Sequence, residues 1–301
     1  MRGMRVCFGT ALLVALFSLA PHMPGYAQER YSPFVPTEES DVTRMLKLAD
    51  LRDGDVVFDL GSGDGRIVLE AARMKAGVRG RGIEMDEKLV NESRATAHAS
   101  RLGDRVQFVH QNAFDADLKE ATVITMWLWP EVMHMLRPKI LAEAKPGTRV
   151  ITRMWDLGKW PPDESTTEGT TLYKWIVPAR VGGYWSWNLA LGDRKVSYSA
   201  IFEQRFQTVE GVIRVANRRA VLNDVKLKGE DISFSLLISI EGVKLMRHQF
   251  TGQVRGDVIE GTITVLQEPY EHSVEMPWRA QRGATSAYFA PTGMDSEVGR
   301  Y

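Results

Sequence analysis

The stretch Val56–Arg66, VVFDLGSGDGR, decides the fold of the first half of the chain. A short apolar run ends in Asp59, and three alternate glycines, Gly61, Gly63 and Gly65, then lead into a helical pattern. A strand, a Gly-rich turn and a helix start are therefore predicted. Glycine has no Cβ, so it adopts positive φ easily and lets a ligand approach the backbone. We expect an open α/β sheet that binds a nucleotide-like ligand at the carboxyl ends of its strands.

The glycine spacing, G-x-G-x-G with an acid two residues before it, differs from the dinucleotide fingerprint G-x-G-x-x-G. It resembles the first motif of class I S-adenosylmethionine (SAM) methyltransferases, which implies that Asp59 organises the methionine end of SAM. The stretch Gly80–Glu84, GRGIE, is predicted to be the next strand, and Glu84 at its end can accept from both ribose hydroxyls. For the first motif taken alone, a solvated glycine loop is the alternative. The further residues predicted to line the cofactor site are Gly61, Ser62, Gly63, Gly65 and Met85.

A third strand is predicted at Val106–His110, and Gln111-Asn112 follows it. Many methyltransferases carry Gly-Asp at that position, where it touches the adenine amine. Asn112 can accept there through its amide oxygen, and Asp115 is near enough in sequence to serve instead. A turn-forming Asn112 is an equal alternative.

The fourth predicted strand, Ala121–Trp127, runs into Leu128-Trp129-Pro130 and a helix. The methyl acceptor lies over this strand end in the resembled fold, so Trp127, Trp129 and Pro130 are the candidates for lining the substrate cleft. An aromatic wall suits a lysine, because it holds the alkyl stem and tolerates the ammonium through a cation–π contact. Core packing of both tryptophans is the alternative. No residue in the sequence stands out as a general base.

Several stretches together resemble the FAM173-type family, seven-strand methyltransferases that modify lysines of mitochondrial proteins and have many bacterial relatives. The stretches are FVPT, DVVFDLGSGDGRIVLEAAR, GRGIEMDEKLV, ATVITMWLWPEV, LRPKILAEAKPGTRVI and KWIVPA, within residues 31–178. The resemblance implies a protein lysine as acceptor and SAM as cofactor. The chain departs from the family at Asn112 and at Arg153-Met154-Trp155, where a different polar arrangement is expected. The Asn/Asp-Pro-Pro-Tyr/Phe motif of methylases that act on nucleobases or glutamine amides is missing.

The sheet is expected to continue with a fifth strand at Thr148–Met154 and a single closing strand at Leu172–Val177. From Tyr184 to Arg282 the pattern changes to seven or eight short alternating strands separated by turns, which predicts a barrel or a sandwich. Gly183-Tyr184-Trp185 and Trp278-Arg279 are similar to the start and end of lipocalin- and avidin-like barrels, where a late arginine stacks on the tryptophan. Such a barrel either holds one small ligand or is filled by side chains. The predicted fold is thus a Rossmann-like α/β domain with helices on both faces of its sheet (28–179), an all-β domain (180–285) and a flexible tail (286–301).

Residues 1–27 are typical of a secretory signal, with Arg2 and Arg5 before an apolar run and small residues before a cut at Gln28. An uncleaved membrane anchor is the alternative, as in the mitochondrial members of the family. Export conflicts with the cofactor prediction, because SAM is made and kept in the cytoplasm.

The charges balance at 38 basic and 38 acidic residues, so no nucleic-acid partner is indicated. The single cysteine, Cys7, lies before the predicted cut, and the six histidines have no ligand spacing, so no metal site is predicted.

We therefore expect a SAM-dependent methyltransferase that modifies a protein lysine. One alternative is an exported, non-catalytic binding protein whose β domain captures a ligand and whose methyltransferase-like half is a scaffold. The other is a small-molecule methyltransferase, in which the β domain shapes substrate entry.

Overall fold

A computed structural model describes residues 33–239, 245–267 and 272–283 of the chain. Both sheets found in these ranges belong to one compact unit. The predicted signal (1–27) and the predicted tail (286–301) lie outside the described residues. That 28–179 and 180–285 are separate domains stays a prediction.

The first half forms one seven-stranded sheet. Its strands are β1 (Val56–Leu60), β2 (Arg79–Glu84), β3 (Val106–His110), β4 (Val123–Met126), β5 (Arg149–Arg153), β6 (Glu164–Thr166) and β7 (Leu172–Ile176). They lie in the order β3-β2-β1-β4-β5-β7-β6, with β1 to β5 parallel and the last two antiparallel. Since β1 to β5 are parallel, their carboxyl ends meet at one edge of the sheet, where ligands bind in such folds.

Helices cover both faces of this sheet, as the sequence predicts. They are α1 (Glu39–Leu48), α2 (Arg66–Met74), α3 (Glu87–Ala99) and α4 (Pro130–Glu143). Val57, Val123 and Ile151 pack with α1 and α2, whereas Phe58 and Ile124 pack with α4. Strands buried on two faces need apolar residues at consecutive positions, which explains the uninterrupted apolar runs in the sequence. No helix in the described ranges has the length and apolarity that crossing a bilayer requires.

The expectation of a single closing strand is wrong. Strand β7 lies where Leu172–Val177 was predicted, but β6 adds a second closing strand that pairs antiparallel with β7, with Ser165 opposite Tyr173. The three residues of β6 are exposed or half-buried at the sheet edge. They therefore carry no apolar alternation by which the sequence could reveal them.

The second half forms an antiparallel sheet of nine strands, more than the seven or eight expected. They are β8 (Gly183–Leu191), β9 (Arg194–Arg205), β10 (Thr208–Val215), β11 (Arg218–Val221), β12 (Asn223–Lys228), β13 (Asp231–Ser239), β14 (Leu245–Arg255), β15 (Val258–Gln267) and β16 (His272–Arg282). The order is β11-β10-β9-β8-β16-β15-β14-β13-β12. The two outermost strands, β11 and β12, are consecutive in the chain and separated only by Leu222, so the sheet nearly closes into a barrel.

Aromatic side chains fill the interior of the barrel. Trp187, Tyr198, Phe234, Phe250 and Trp278 are buried, and their ring centroids lie 4.7–6.2 Å apart in stacked, tilted and edge-on pairs. Of the two interiors expected, a ligand-holding one and a filled one, the packing matches the filled one. It is a side-chain-filled core stabilised by aromatic pairs.

The late arginine of the barrel is Arg282 and not Arg279. The Arg282 guanidinium lies 4.3 Å from the ring centroid of Trp185 and donates to the carbonyl oxygens of Gly182 and Arg180. Arg279 instead pairs with Glu260, 2.5 Å away, on the outer surface. Strand register decides which side chain of β16 reaches Trp185, and Arg282 is the residue opposite Trp185. Residue spacing in the sequence does not reveal this register.

Candidate functional site

The glycine loop after β1 adopts the backbone that its sequence demands. Gly61, Gly63 and Gly65 have φ of +80°, +53° and +79°. A Cβ on Gly61 would lie 2.5 Å from the Leu128 side chain, and one on Gly63 would clash with the Phe34 ring. The loop is thus both left-handed and closely packed, which only glycine permits.

Asp59, at the end of β1, is a buried carboxylate with one hydrogen bond from a side chain. It is 2% exposed, and Thr125 Oγ1 donates to its Oδ1 at 2.7 Å. Burial raises the pKa of Asp59 to about 7, the hydrogen bond from Thr125 opposes this, and the negative charges of Glu84 and Asp64 add to it. A strongly shifted carboxyl at the ligand edge of an α/β sheet is a functional-site signal.

Glu84, at the end of β2, holds the glycine loop in place. Its Oε2 accepts from Gly63 N at 2.9 Å, and its Oε1 accepts from Met85 N at 2.8 Å and Asp86 N at 2.9 Å. A carboxylate has about four acceptor positions, so room for a further donor such as a hydroxyl remains. The side chain therefore joins the two motifs that the sequence predicts separately.

The predicted cofactor fits this group of residues. When ionised, Asp59 would pair with the ammonium of SAM, and the remaining acceptor position of Glu84 would take one of its ribose hydroxyls. Ser62 is buried beside Gly82, and its hydroxyl has no hydrogen-bond partner among the described residues. Buried polar groups normally have a hydrogen-bond partner, so the Ser62 hydroxyl is available to bond to a ligand held by the loop.

The adenine side is less simple than the sequence suggests. Asn112 Oδ1 accepts from Phe114 N at 3.0 Å, which caps the short 3₁₀ turn Ala113–Asp115. Asn112 therefore has the turn-forming role that was the alternative prediction. Its amide oxygen, predicted to accept from adenine, already accepts from Phe114 N. The side chain of Asp115 is exposed, and its carbonyl accepts from Gln111 Nε2 at 3.0 Å. A cofactor contact for either residue stays a prediction.

On the acceptor side, the two tryptophans have different environments. Trp127 is half-buried, and the Arg153 guanidinium lies 4.2 Å from its ring centroid. The cation–π contact expected for a lysine at Trp127 is therefore already made by a residue of the chain itself. Trp129 is 50% exposed at the position before α4, where Pro130 is the first helical residue.

Arg153 is part of a buried charge network that the sequence does not reveal. Its Nε donates to Asp41 Oδ2 at 2.7 Å, and Arg44 Nη1 donates to Asp41 Oδ1 at 2.7 Å. Burial by itself would raise the pKa of Asp41, but the two guanidinium groups hold it below its ordinary value. The end of β5 is thereby tied to α1, because a buried charge needs a partner.

Exposed apolar side chains surround the ends of β4 and β5. Trp129 is 50% exposed, Met154 43% and Trp155 40%. We call these three residues the acceptor rim. Met154 follows β5 with φ of +69°, an uncommon conformation for a non-glycine residue that marks many functional loops.

The comparisons with known proteins agree on the first half of the chain. A family model described as the ANTKMT methyltransferase domain matches residues 59–164. The chain is 40% identical over 150 residues to a protein-lysine N-methyltransferase of Saccharolobus islandicus, a match that covers 48% of this chain and 93% of that protein. It is 30% identical over 175 residues to a lysine N-methyltransferase of Mus musculus that is named for a component of ATP synthase, covering 58% of this chain and 70% of that protein.

Solved structures of methyltransferases are similar over the same share of the chain. The crystal structure of an RNA methyltransferase from Salinibacter ruber in complex with S-adenosyl-L-homocysteine has 46% sequence identity and a TM-score of 0.47, and covers 49% of this chain and 96% of that one. The family model ends at residue 164, before the barrel begins.

Proposed function

The chain belongs to the family of SAM-dependent protein-lysine N-methyltransferases, and on that premise we propose that it methylates the Nζ of a lysine presented at the acceptor rim. It is an enzyme whose cofactor is SAM. The observation that carries the proposal is the meeting of Asp59 and Glu84 with the glycine loop at the carboxyl edge of the sheet, beside that rim.

When bound, SAM supplies an electrophilic methyl group on a sulfonium sulfur. The residues that would hold it are Asp59, Glu84 and the backbone of Gly61–Gly65. The chain must then bring a lysine amine into line with that methyl group and keep water out.

A lysine must lose its proton before it can attack, because the ammonium has no free electron pair. Once a protein acceptor covers the apolar side chains of Trp129, Met154 and Trp155, its lysine ammonium would lose part of its hydration there, which lowers its pKa and favours the neutral amine. The proposed catalysis therefore rests on position and desolvation. The lysine proton would pass to bulk water before the site closes around the amine, so no side chain of the enzyme is needed as general base.

The rim supports a protein acceptor better than a small molecule. Its three residues are exposed on the surface, whereas small-molecule sites are mostly concave and bury most of their ligand. Exposed apolar groups of this kind are common where another macromolecule binds.

The proposal is tested by incubating the full chain with methyl-labelled SAM and a desalted cell extract. Label is expected in protein, as methyl-lysine by mass spectrometry, and not in the RNA or small-molecule fractions. Trp129→Ala should lower transfer at least fivefold. Leu237→Ala, which removes an apolar side chain of 43% exposure from the barrel, is the matched control and should leave transfer unchanged. Label confined to RNA or to small molecules would overturn the proposal.

We also propose that residues 1–27 direct export, on the sequence pattern alone. Sequencing the N-terminus of the chain recovered from expressing cells tests this. A mature chain that starts at Gln28 in the exported fraction supports export, and an intact Met1 in the soluble cell fraction contradicts it.

A further inference from the structure

The segment that follows β5 carries two of the three rim residues and contacts the barrel at its other end. It runs from Met154 to Pro161, and we call it the β5 extension. Near its start, Met154 N donates to Thr171 O at 2.7 Å, and Thr152 Oγ1 donates to Trp155 O at 2.5 Å. These two bonds join it to the sheet within two residues of β5. Near its other end, Nε1 of Trp175 in β7 donates to Trp160 O at 2.9 Å.

The other end of the β5 extension is held by the barrel. Gln207 Oε1 accepts from Trp160 Nε1 at 2.9 Å, and Gln207 Nε2 donates to Pro161 O at 2.7 Å. The ring of Phe206 stacks on that of Trp160, with centroids 6.1 Å apart and planes 15° apart. One glutamine thus bonds to two consecutive residues, and Trp160 is fully buried between the rings of Phe206 and Trp175.

Phe206 and Gln207 form the two-residue turn between β9 and β10, and this turn is itself firmly held. Phe206 has φ of +57°, and its carbonyl accepts from Gln204 Nε2 at 2.8 Å. Gln204 also accepts from Val181 N at 2.7 Å and donates to Ala179 O at 2.8 Å. Phe206 packs with the core cluster of the first sheet, so this hairpin reaches out of the barrel.

The middle of the β5 extension rests on α4, the helix that begins next to Trp129. Arg137 Nη1 donates to Leu157 O at 2.7 Å, and the Arg137 guanidinium lies 5.8 Å from the Phe206 ring centroid. The barrel hairpin, α4 and the β5 extension therefore form one packed group, and the rim residues lie along two of its three members.

We propose that the β9–β10 hairpin of the barrel, through Phe206 and Gln207, positions the acceptor rim and so sets the affinity for the protein acceptor. The inference rests on the proposed function. Gln207 is a positioning residue, since it touches the β5 extension and none of the residues predicted to hold SAM. Met154, at the start of the β5 extension, has a positive φ that a non-glycine residue keeps only where the surrounding structure enforces it, and the hairpin holds the opposite end of the same segment.

The variant Gln207→Ala tests this, because it leaves Trp160 Nε1 and Pro161 O without their partner. Gln249→Ala, which removes an exposed glutamine from strand β14 of the same barrel, is the matched control. Three quantities are measured on the full chain. They are the SAM dissociation constant by calorimetry, the half-saturating concentration of extract protein in methyl transfer, and the rate at which trypsin cuts after the exposed Lys159.

For Gln207→Ala, we expect SAM affinity within twofold of the unaltered chain, a half-saturating acceptor concentration raised at least fivefold with little change in maximal rate, and cutting after Lys159 at least fivefold faster. In Gln249→Ala all three should stay unchanged. Trp160→Phe keeps an aromatic ring but loses the bond to Gln207. In the double variant that combines it with Gln207→Ala, the half-saturating acceptor concentration and the cutting rate should therefore be no higher than in Gln207→Ala alone.

Unchanged acceptor saturation, or unchanged cutting after Lys159, in a Gln207→Ala chain that still binds SAM would overturn the inference. A maximal rate that falls while acceptor saturation stays constant would also overturn it. If the unaltered chain transfers no methyl group to protein, the proposed function fails instead, and the trypsin measurement still decides whether the hairpin holds the β5 extension.

Discussion

Asp59 offers the sharpest test of the site. Because its pKa is raised by burial, the free energy of unfolding should fall as pH rises, whereas a carboxylate that is paired in the folded state makes it rise. Burial raises its pKa to about 7 from an ordinary value of 3.8, and within the described part of the chain only Thr125 donates to it from a side chain. In Asp59→Asn the amide oxygen can keep the bond from Thr125, and the side chain stays neutral at every pH.

The sign follows from proton binding. Between about pH 4 and pH 7 the folded chain holds a proton on Asp59 that the unfolded chain has released, so stability falls as pH rises through this window. The two pKa values differ by about 3, which corresponds to about 4 kcal/mol once the pH exceeds 7. Relative to the unaltered chain, Asp59→Asn should therefore gain about 2 kcal/mol at pH 5 and about 4 kcal/mol at pH 8.

The measurement is urea unfolding of both chains without SAM, from pH 5 to pH 8, followed by tryptophan fluorescence. Asp104→Asn, at an exposed position, controls for the loss of one negative charge. A difference between Asp59→Asn and the unaltered chain that stays constant across this range would refute the reasoning, because the carboxyl would then not titrate as a buried group.

The same substitution should damage cofactor binding. If ionised Asp59 pairs with the ammonium of SAM, affinity in the unaltered chain should fall by up to about tenfold for each pH unit below 7, and Asp59→Asn should bind weakly at every pH. Calorimetric titration with SAM at several pH values measures both effects. A stabilising substitution that removes binding is the usual mark of a functional residue.

Three further predictions follow from the same contacts. Glu84→Gln loses at least one acceptor for the backbone N–H groups it now holds, and should weaken SAM binding at least tenfold by calorimetry. In Gly63→Ala the new Cβ would clash with the Phe34 ring, so SAM binding should weaken. Gly54→Ala is its control: Gly54 also has positive φ, but a Cβ there has no neighbouring atom within 4 Å, so only stability should fall, by about 1 kcal/mol. Arg153→Met leaves Asp41 buried with one guanidinium fewer, and should cost about 3–5 kcal/mol in urea unfolding, most of which Asp41→Asn in the same chain should restore.

Each of these has an outcome that would contradict it. SAM binding of ordinary strength in Glu84→Gln would remove Glu84 from the site. Equal SAM affinity in Gly63→Ala and Gly54→Ala would show that the approach of Phe34 is unimportant. Stability within about 0.5 kcal/mol of the unaltered chain in Arg153→Met would place the pair with Asp41 among surface ion pairs.

The sequence alone determines the parts of this protein that depend on local spacing. The run Val56–Leu60, its alternate glycines and the acid Asp59 predict a strand, a turn and a helix that the structure contains, because glycine can adopt the positive φ of a tight turn at little cost whatever the rest of the chain does. Glu84 at the end of β2 follows from the same reasoning, since parallel strands end at one edge of a sheet.

The tertiary structure decides which side chains meet across long separations in sequence. Arg153 stacks on the ring of Trp127 and pairs with Asp41. Gln207 of the barrel bonds to the β5 extension, and Arg282 stacks on Trp185 where Arg279 was expected. Such contacts depend on strand order and register, and a shift of one residue turns every side chain of a strand to the opposite face. Local patterns predict the elements, and only the packed chain brings their side chains together.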